Sequence, residues 1–96
     1  MDITTSGNSV TITGNIKTIG DYQTIKDTLE KLVGSSNNIT IIIKDSISIT
    51  SSVIGYLTKL VQKDNIDIQI RVGDANLYEL FDEINLVQLF RVSRER

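Results

Sequence analysis

The feature that most constrains this chain is a change of period that recurs along it. Segments in which apolar and polar residues alternate, or in which β-branched residues run on without a break, are separated by segments whose apolar residues recur at three and four. The first pattern belongs to strands and the second to one face of a helix. The most restrictive piece is "ITIIIK", residues 39–44. A nearly continuous β-branched run of this length suits a strand buried on both faces, hence a central one. "NIDIQIRV", residues 65–72, gives the cleanest alternation, with Ile66, Ile68, Ile70 and Val72 on one side and Gly73 as its end. "VTITGNI", residues 10–16, alternates Val10 and Ile12 with Thr11 and Thr13 and is ended by Gly14. A shorter strand near Asp2–Thr5 pairs with it as a hairpin across "SGNS", a turn composition.

Between these strands lie three helical stretches. Tyr22, Ile25, Leu29, Leu32 and Val33 share a face, with Asp21 as the predicted cap and Gly34 as the stop. The second helix is predicted from Ser51 or Ser52 to Lys63, burying Val53, Ile54, Leu57, Leu60 and Val61. Asp74 caps a third, with Leu77, Leu80, Phe81 and Ile84 inward, and "LVQLFRV", residues 86–92, reads as a final strand. The order is β-β-α-β-α-β-α-β: an α/β domain over residues 1–96, with a single-layer mixed sheet of four or five strands and helices packed on it. Its crossovers are expected to be right-handed.

Composition removes several function classes. The 96 residues include no histidine and no cysteine. The commonest general base and metal ligand are therefore missing, as are thiolate sites and disulfides. A serine–lysine pair would need Lys44 or Lys59, and Lys59 lies two helical turns beyond the serines. The carboxylate pairs Asp82/Glu83 and Asp64/Asp67 read as solvating charges. No glycine pattern for phosphate cradling is present. The expectation is a chain that is not an enzyme and carries no metal or cofactor. A net charge of −2 with interspersed signs argues against nucleic acid. The three arginines of "RVSRER", residues 91–96, read as a solvated end of the domain. No apolar run approaches the ~18–20 residues of a membrane span, and "MDITTSGNS" has no secretory character. A cytoplasmic location is expected.

The period changes inside "SISITSSVIGYL", residues 46–57, and three hydroxyl residues, Thr50, Ser51 and Ser52, stand at the change. They admit two readings. One of them caps the helix, accepting a bond from a first-turn amide, worth ~1 kcal/mol. Alternatively, a hydroxyl is exposed past the carboxyl end of a central strand, where α/β proteins place ligands. The free amides and the helix dipole would welcome a phosphate there. About two added negative charges would disturb a partner docked on that surface.

From "ITIIIKDSISITSSVIG" to "LYELFDEINLVQLFRV" the chain resembles the STAS domain, the fold of bacterial anti-sigma-factor antagonists. The resemblance covers nearly the whole chain. In that family an Asp-Ser-Ser-Gly-Leu-Gly type motif leads from a central strand into the second helix, and its first serine is phosphorylated by a kinase that is also the anti-sigma factor. The unphosphorylated form binds that kinase, and a metal-dependent serine phosphatase resets the switch. On this chain the motif falls on Thr50, Ser51, Ser52, Val53, Ile54 and Gly55, with Ser51 at the phosphoacceptor place. A second register puts Ser51 at the aspartate place and Ser52 as acceptor, as in stressosome scaffold members; Ser51 is preferred because Gly55 then meets a family glycine. Thr50 departs from the usual aspartate and Val53 from glycine. Asn15 and Lys17 stand where members offer acids to the kinase.

The resemblance implies a regulatory protein-binding module that docks through Thr50, Ser51, Ser52, Val53 and Tyr56, with Asn15 and Lys17 at the end of the second strand. Its partners would be a serine-kinase anti-sigma factor and a serine phosphatase. Tyr56 is expected at the edge of the core or outside it, as an interface anchor or as a rim residue with its hydroxyl in water. The alternative implied by the resemblance is a non-switching subunit of an ABC-type lipid transport complex or another scaffold.

Overall fold

A computed structural model describes residues 1–95. The elements are β1 (Asp2–Ser6), β2 (Ser9–Thr13), α1 (Ile19–Val33), β3 (Asn38–Ile43), α2 (Ser51–Gln62), β4 (Asp67–Val72), α3 (Ala75–Glu83) and β5 (Ser93–Arg94). The expected order is the observed one. The strands form one mixed sheet in the order β1-β2-β3-β4-β5. β1 pairs antiparallel with β2, and every later pair is parallel.

β1 and β2 are joined by Gly7 and Asn8 alone, because Ser6 pairs with Ser9. Gly7 has φ of 58°. A two-residue hairpin loop needs this left-handed conformation at its first position, which glycine takes at no steric cost.

Strand order from β2 to β5 follows chain order, so right-handed crossovers stack the helices on one side of the sheet. Burial agrees. Val10, Ile12, Ile39, Ile41, Ile43, Ile68, Ile70 and Val72 are all buried, whereas their alternating neighbours Thr11, Thr40, Ile42, Gln69 and Arg71 retain exposure. β3 is thus central, as its sequence predicts, but only one of its faces is covered. The long β-branched run misleads here because Ile42 stands on the open face beside Thr11 and Arg71.

The helices complete the core with Ile25 and Leu29 from α1, Val53, Tyr56, Leu57 and Leu60 from α2, and Leu77 and Phe81 from α3. α2 is turned relative to expectation: Tyr56 faces in and Ile54 is only half-buried. The set 53, 56, 57, 60 satisfies the same three–four spacing as 53, 54, 57, 60, 61, so spacing alone does not choose between them. Asp21 is not the cap of α1. Thr18 caps it, and Asp21 sits three residues on as the second half of a capping box.

The stretch 86–92 is not a strand. Phe90 N–H donates to Leu86 at 3.1 Å and Val92 N–H to Val87 at 2.8 Å, so the segment coils in turns. Leu86, Leu89 and Phe90 follow a turn period rather than an alternation. Phe90 meets Phe81 edge to face, ring centroids 6.1 Å apart, an arrangement worth ~0.5–1.5 kcal/mol beyond burial. The chain becomes extended only at Ser93–Arg94, so β5 is a two-residue strand. Ile84, expected inward, is 41% exposed at the end of α3. Asn85 follows it in the left-handed conformation, φ 62°, and turns the chain away. β4 starts at Asp67 rather than Asn65, which is also left-handed at φ 55°.

Candidate functional site

Because β2 and β3 are parallel, the β2–α1 loop and the β3–α2 loop emerge at the same end of the sheet. Side chains lace the two loops together. Asp45 Oδ1 accepts from Gly14 N–H at 2.7 Å, and Asn15 Oδ1 accepts from Ile47 N–H at 3.1 Å. Ser46 Oγ accepts from Ile16 N–H at 3.0 Å and donates to the Ser48 carbonyl at 2.6 Å. Ser48 Oγ donates to the Ile16 carbonyl at 3.2 Å.

Ser46 is fully buried, 0% exposed, with its hydroxyl satisfied on both sides. At Ser46 and Ile47 the polar residue is inside and the apolar one outside. The serine goes in because it holds the neighbouring loop, and Ile47 is left 56% exposed. Ile19, the first residue of α1, is 79% exposed at the same end. Two large apolar side chains therefore stand in water at this end of the sheet.

The first turn of α2 begins from Thr50, in extended conformation with φ −83° and ψ 155°. Its Oγ1 accepts from Val53 N–H at 3.3 Å. Thr50 is thus the cap, and neither Ser51 nor Ser52 is needed for it. Both serines are exposed, and among the described residues their hydroxyls form no hydrogen bond. No acidic residue occupies this first turn.

The first turn of α1 is closed. Thr18 Oγ1 accepts from Asp21 N–H at 3.0 Å, and Asp21 Oδ2 accepts from the N–H groups of Lys17 and Thr18 at 2.9 and 3.1 Å. The bond from Lys17, then that from Thr18, holds the Asp21 carboxyl below the usual carboxylate range.

The expected site residues divide accordingly. Thr50, Ser51 and Ser52 are adjacent at the start of α2, and Lys17 is exposed on the loop beside it. Asn15 is half-buried and spends its carbonyl on Ile47, so it builds the site rather than presenting it. Val53 is buried in the core and offers nothing to a partner. Tyr56 is not an exposed anchor: it is only 6% exposed, and its hydroxyl donates to Glu30 Oε2 at 2.7 Å, tying α2 to α1. Burial, then the Glu30 carboxylate, pushes its phenol well above the ordinary value. Ile19, Ile47 and Ser46 were not legible as site residues. Ser46 and Ile47 are placed by bonds between loops about 30 positions apart in the chain, and Ile19 by where α1 starts.

Lys44 pairs with Glu95 at 3.1 Å and Lys59 with Asp64 at 3.3 Å, so each candidate lysine partner for a serine has a carboxylate of its own. Among the described residues no cluster of three metal-ligating side chains occurs. Among them no helix is long and apolar enough to cross a membrane. Comparison with protein-family models, with curated proteins and with solved structures finds no match to the chain.

Proposed function

We propose that this chain is a regulatory protein-binding module of the STAS type, switched by phosphorylation of Ser51, or of Ser52 in the second register. Its docking surface is the end of the sheet that presents Lys17, Ile19, Ile47, Ser51 and Ser52. One observation carries the reading: Thr50 takes the capping role, so two exposed hydroxyls remain at the start of a helix with no acid in its first turn. A phosphate there meets free first-turn amides and the positive end of the helix dipole. The folded chain tolerates it. A partner resting on Ile19 and Ile47 would have to desolvate about two negative charges. The partner class that fits is a cytoplasmic serine-kinase anti-sigma factor, with a serine phosphatase resetting the switch.

The test is titration calorimetry of the chain against such a kinase, with peptide mass mapping of residues 45–59 from native material. Ser51→Asp is expected to bind at least about tenfold more weakly, ~1.4 kcal/mol, with an unchanged melting temperature. Equal binding by wild type and variant, with no phosphate on either serine, rejects the switch. A non-switching subunit of an ABC-type lipid transport complex is the second reading. The uncharged Thr50 favours it, since no carboxylate stands immediately before Ser51 to assist phosphoryl transfer. A constitutive complex with transporter subunits and an unmodified peptide would support it.

A further inference from the structure

We propose that the outer edge of β1 is a self-association surface that joins two copies of this chain, antiparallel, into one continuous sheet. The two edges of the sheet are treated differently. β5 is two residues long, and the exposed Arg91 and Arg94 stand at it. Shortness and charge are how proteins keep an edge from pairing. β1 is five residues, "DITTS", paired without a break to β2 from Asp2↔Thr13 to Ser6↔Ser9. It carries no lysine, arginine or proline and no bulge, and among the described residues nothing pairs with its outer side.

The register is self-complementary. Ser6 and Ser9 close a two-residue hairpin and form a hydrogen-bonded pair, so Asp2, Thr4 and Ser6 direct their backbone groups to β2. The N–H and C=O groups of Ile3 and Thr5 therefore point outward. A two-fold axis through Thr4 sets Ile3 opposite Thr5 of the second copy and Thr5 opposite its Ile3. All four outward groups of each copy are then paired. Thr4 faces Thr4 across the axis as a non-hydrogen-bonded pair, where side chains lie closest and threonine pairs are favourable. Asp2 faces Ser6 rather than a second carboxylate, so no like charges are opposed.

Ile3 and Thr5 lie on the helix side of the sheet, opposite the buried Ile12 and Val10. There a groove of about 420 Å³ runs between β1 and α1, lined by Ile3, Thr4, Thr5, Thr28, Lys31 and Leu32. The second copy would lay its own Ile3 and Thr5 along this groove. The arrangement is isologous and closes on itself, so it yields a dimer and no fibre.

Sedimentation velocity of the full chain from about 1 μM to about 1 mM spans ordinary complex affinities and is expected to show a monomer–dimer equilibrium. Thr5→Pro removes one outward N–H per copy and leaves the β1–β2 ladder intact, so it should weaken dimerisation by at least about tenfold while far-ultraviolet dichroism is unchanged. The chain has no cysteine. Thr4→Cys should therefore form a disulfide across the axis under mild oxidation, and Ser6→Cys should not. If Thr5→Pro fails to fold, the cysteine pair decides. A wild type that stays monomeric throughout this range overturns the proposal and leaves the edge to some other occupant. So does a dimer in which Ser6→Cys cross-links as readily as Thr4→Cys.

Discussion

At the start of α1 the Asp21 carboxylate fills what the start of α2 leaves open. Both helices begin at the same end of the sheet, and both begin with a threonine cap, Thr18 and Thr50. At α1 a negative charge already sits three residues on and accepts two backbone N–H bonds. At α2 the corresponding position is Val53, whose side chain is in the core, and Ser51 and Ser52 project into water. The two turns use one geometry for two ends. A carboxylate built into the first turn stabilises the helix and saturates it against other anions. A first turn without one forgoes that stabilisation, and under the proposed switch it is where the added phosphate would sit.

The comparison depends first on Ser46, which holds the two loops in their relation. Ser46→Ala leaves the buried Ile16 N–H without its partner. We expect a loss of about 1–3 kcal/mol, the largest effect of the series, read by urea unfolding. A loss near zero would mean that the loops keep their places without this serine. Next comes the cap itself. Thr50→Val should cost about 1 kcal/mol, whereas Ser51→Ala and Ser52→Ala should each stay within about 0.5 kcal/mol. A cost at Ser51 equal to that at Thr50 would return Ser51 to a capping role and remove the basis for an uncommitted hydroxyl.

The smallest effect concerns pH. Because folding lowers the Asp21 pKa, the unfolded chain binds the proton more readily. Its contribution is therefore fully present above the unfolded value near ~4 and is lost as pH falls through the lower folded value. Asp21→Asn should remove that part of the acid dependence of the melting temperature. Thr50→Val should leave the dependence alone, because α2 has no ionisable group in its first turn.

Much of this architecture is legible in the chain. Strand alternation in 67–72 and the three–four spacing in 22–33 fall where the structure has β4 and α1, and Asp74 caps α3 as its position predicts. The failures share a cause. Residues 86–92 are apolar enough for a strand, but their inward side chains recur at a turn period. Tyr56 and Ile54 exchange sides because two overlapping sets of positions satisfy one helical face. Asp21 and Thr18 are both good caps, and only the reciprocal bond pair separates their roles.

Local periodicity and residue chemistry by themselves determine the α/β class, the order of elements and the presence of a hydroxyl run at the start of α2. These depend on neighbours within a few positions, so they can be read along the chain. Tertiary structure alone decides which hydroxyl is the cap, which serine is buried and which isoleucines remain outside. It also decides that, among the described residues, one face of the sheet is left open and that β1, rather than the two-residue β5, forms the longer free edge. Each of these is settled by a bond or a packing contact between segments far apart in sequence, such as Ser46 with Ile16 and Tyr56 with Glu30.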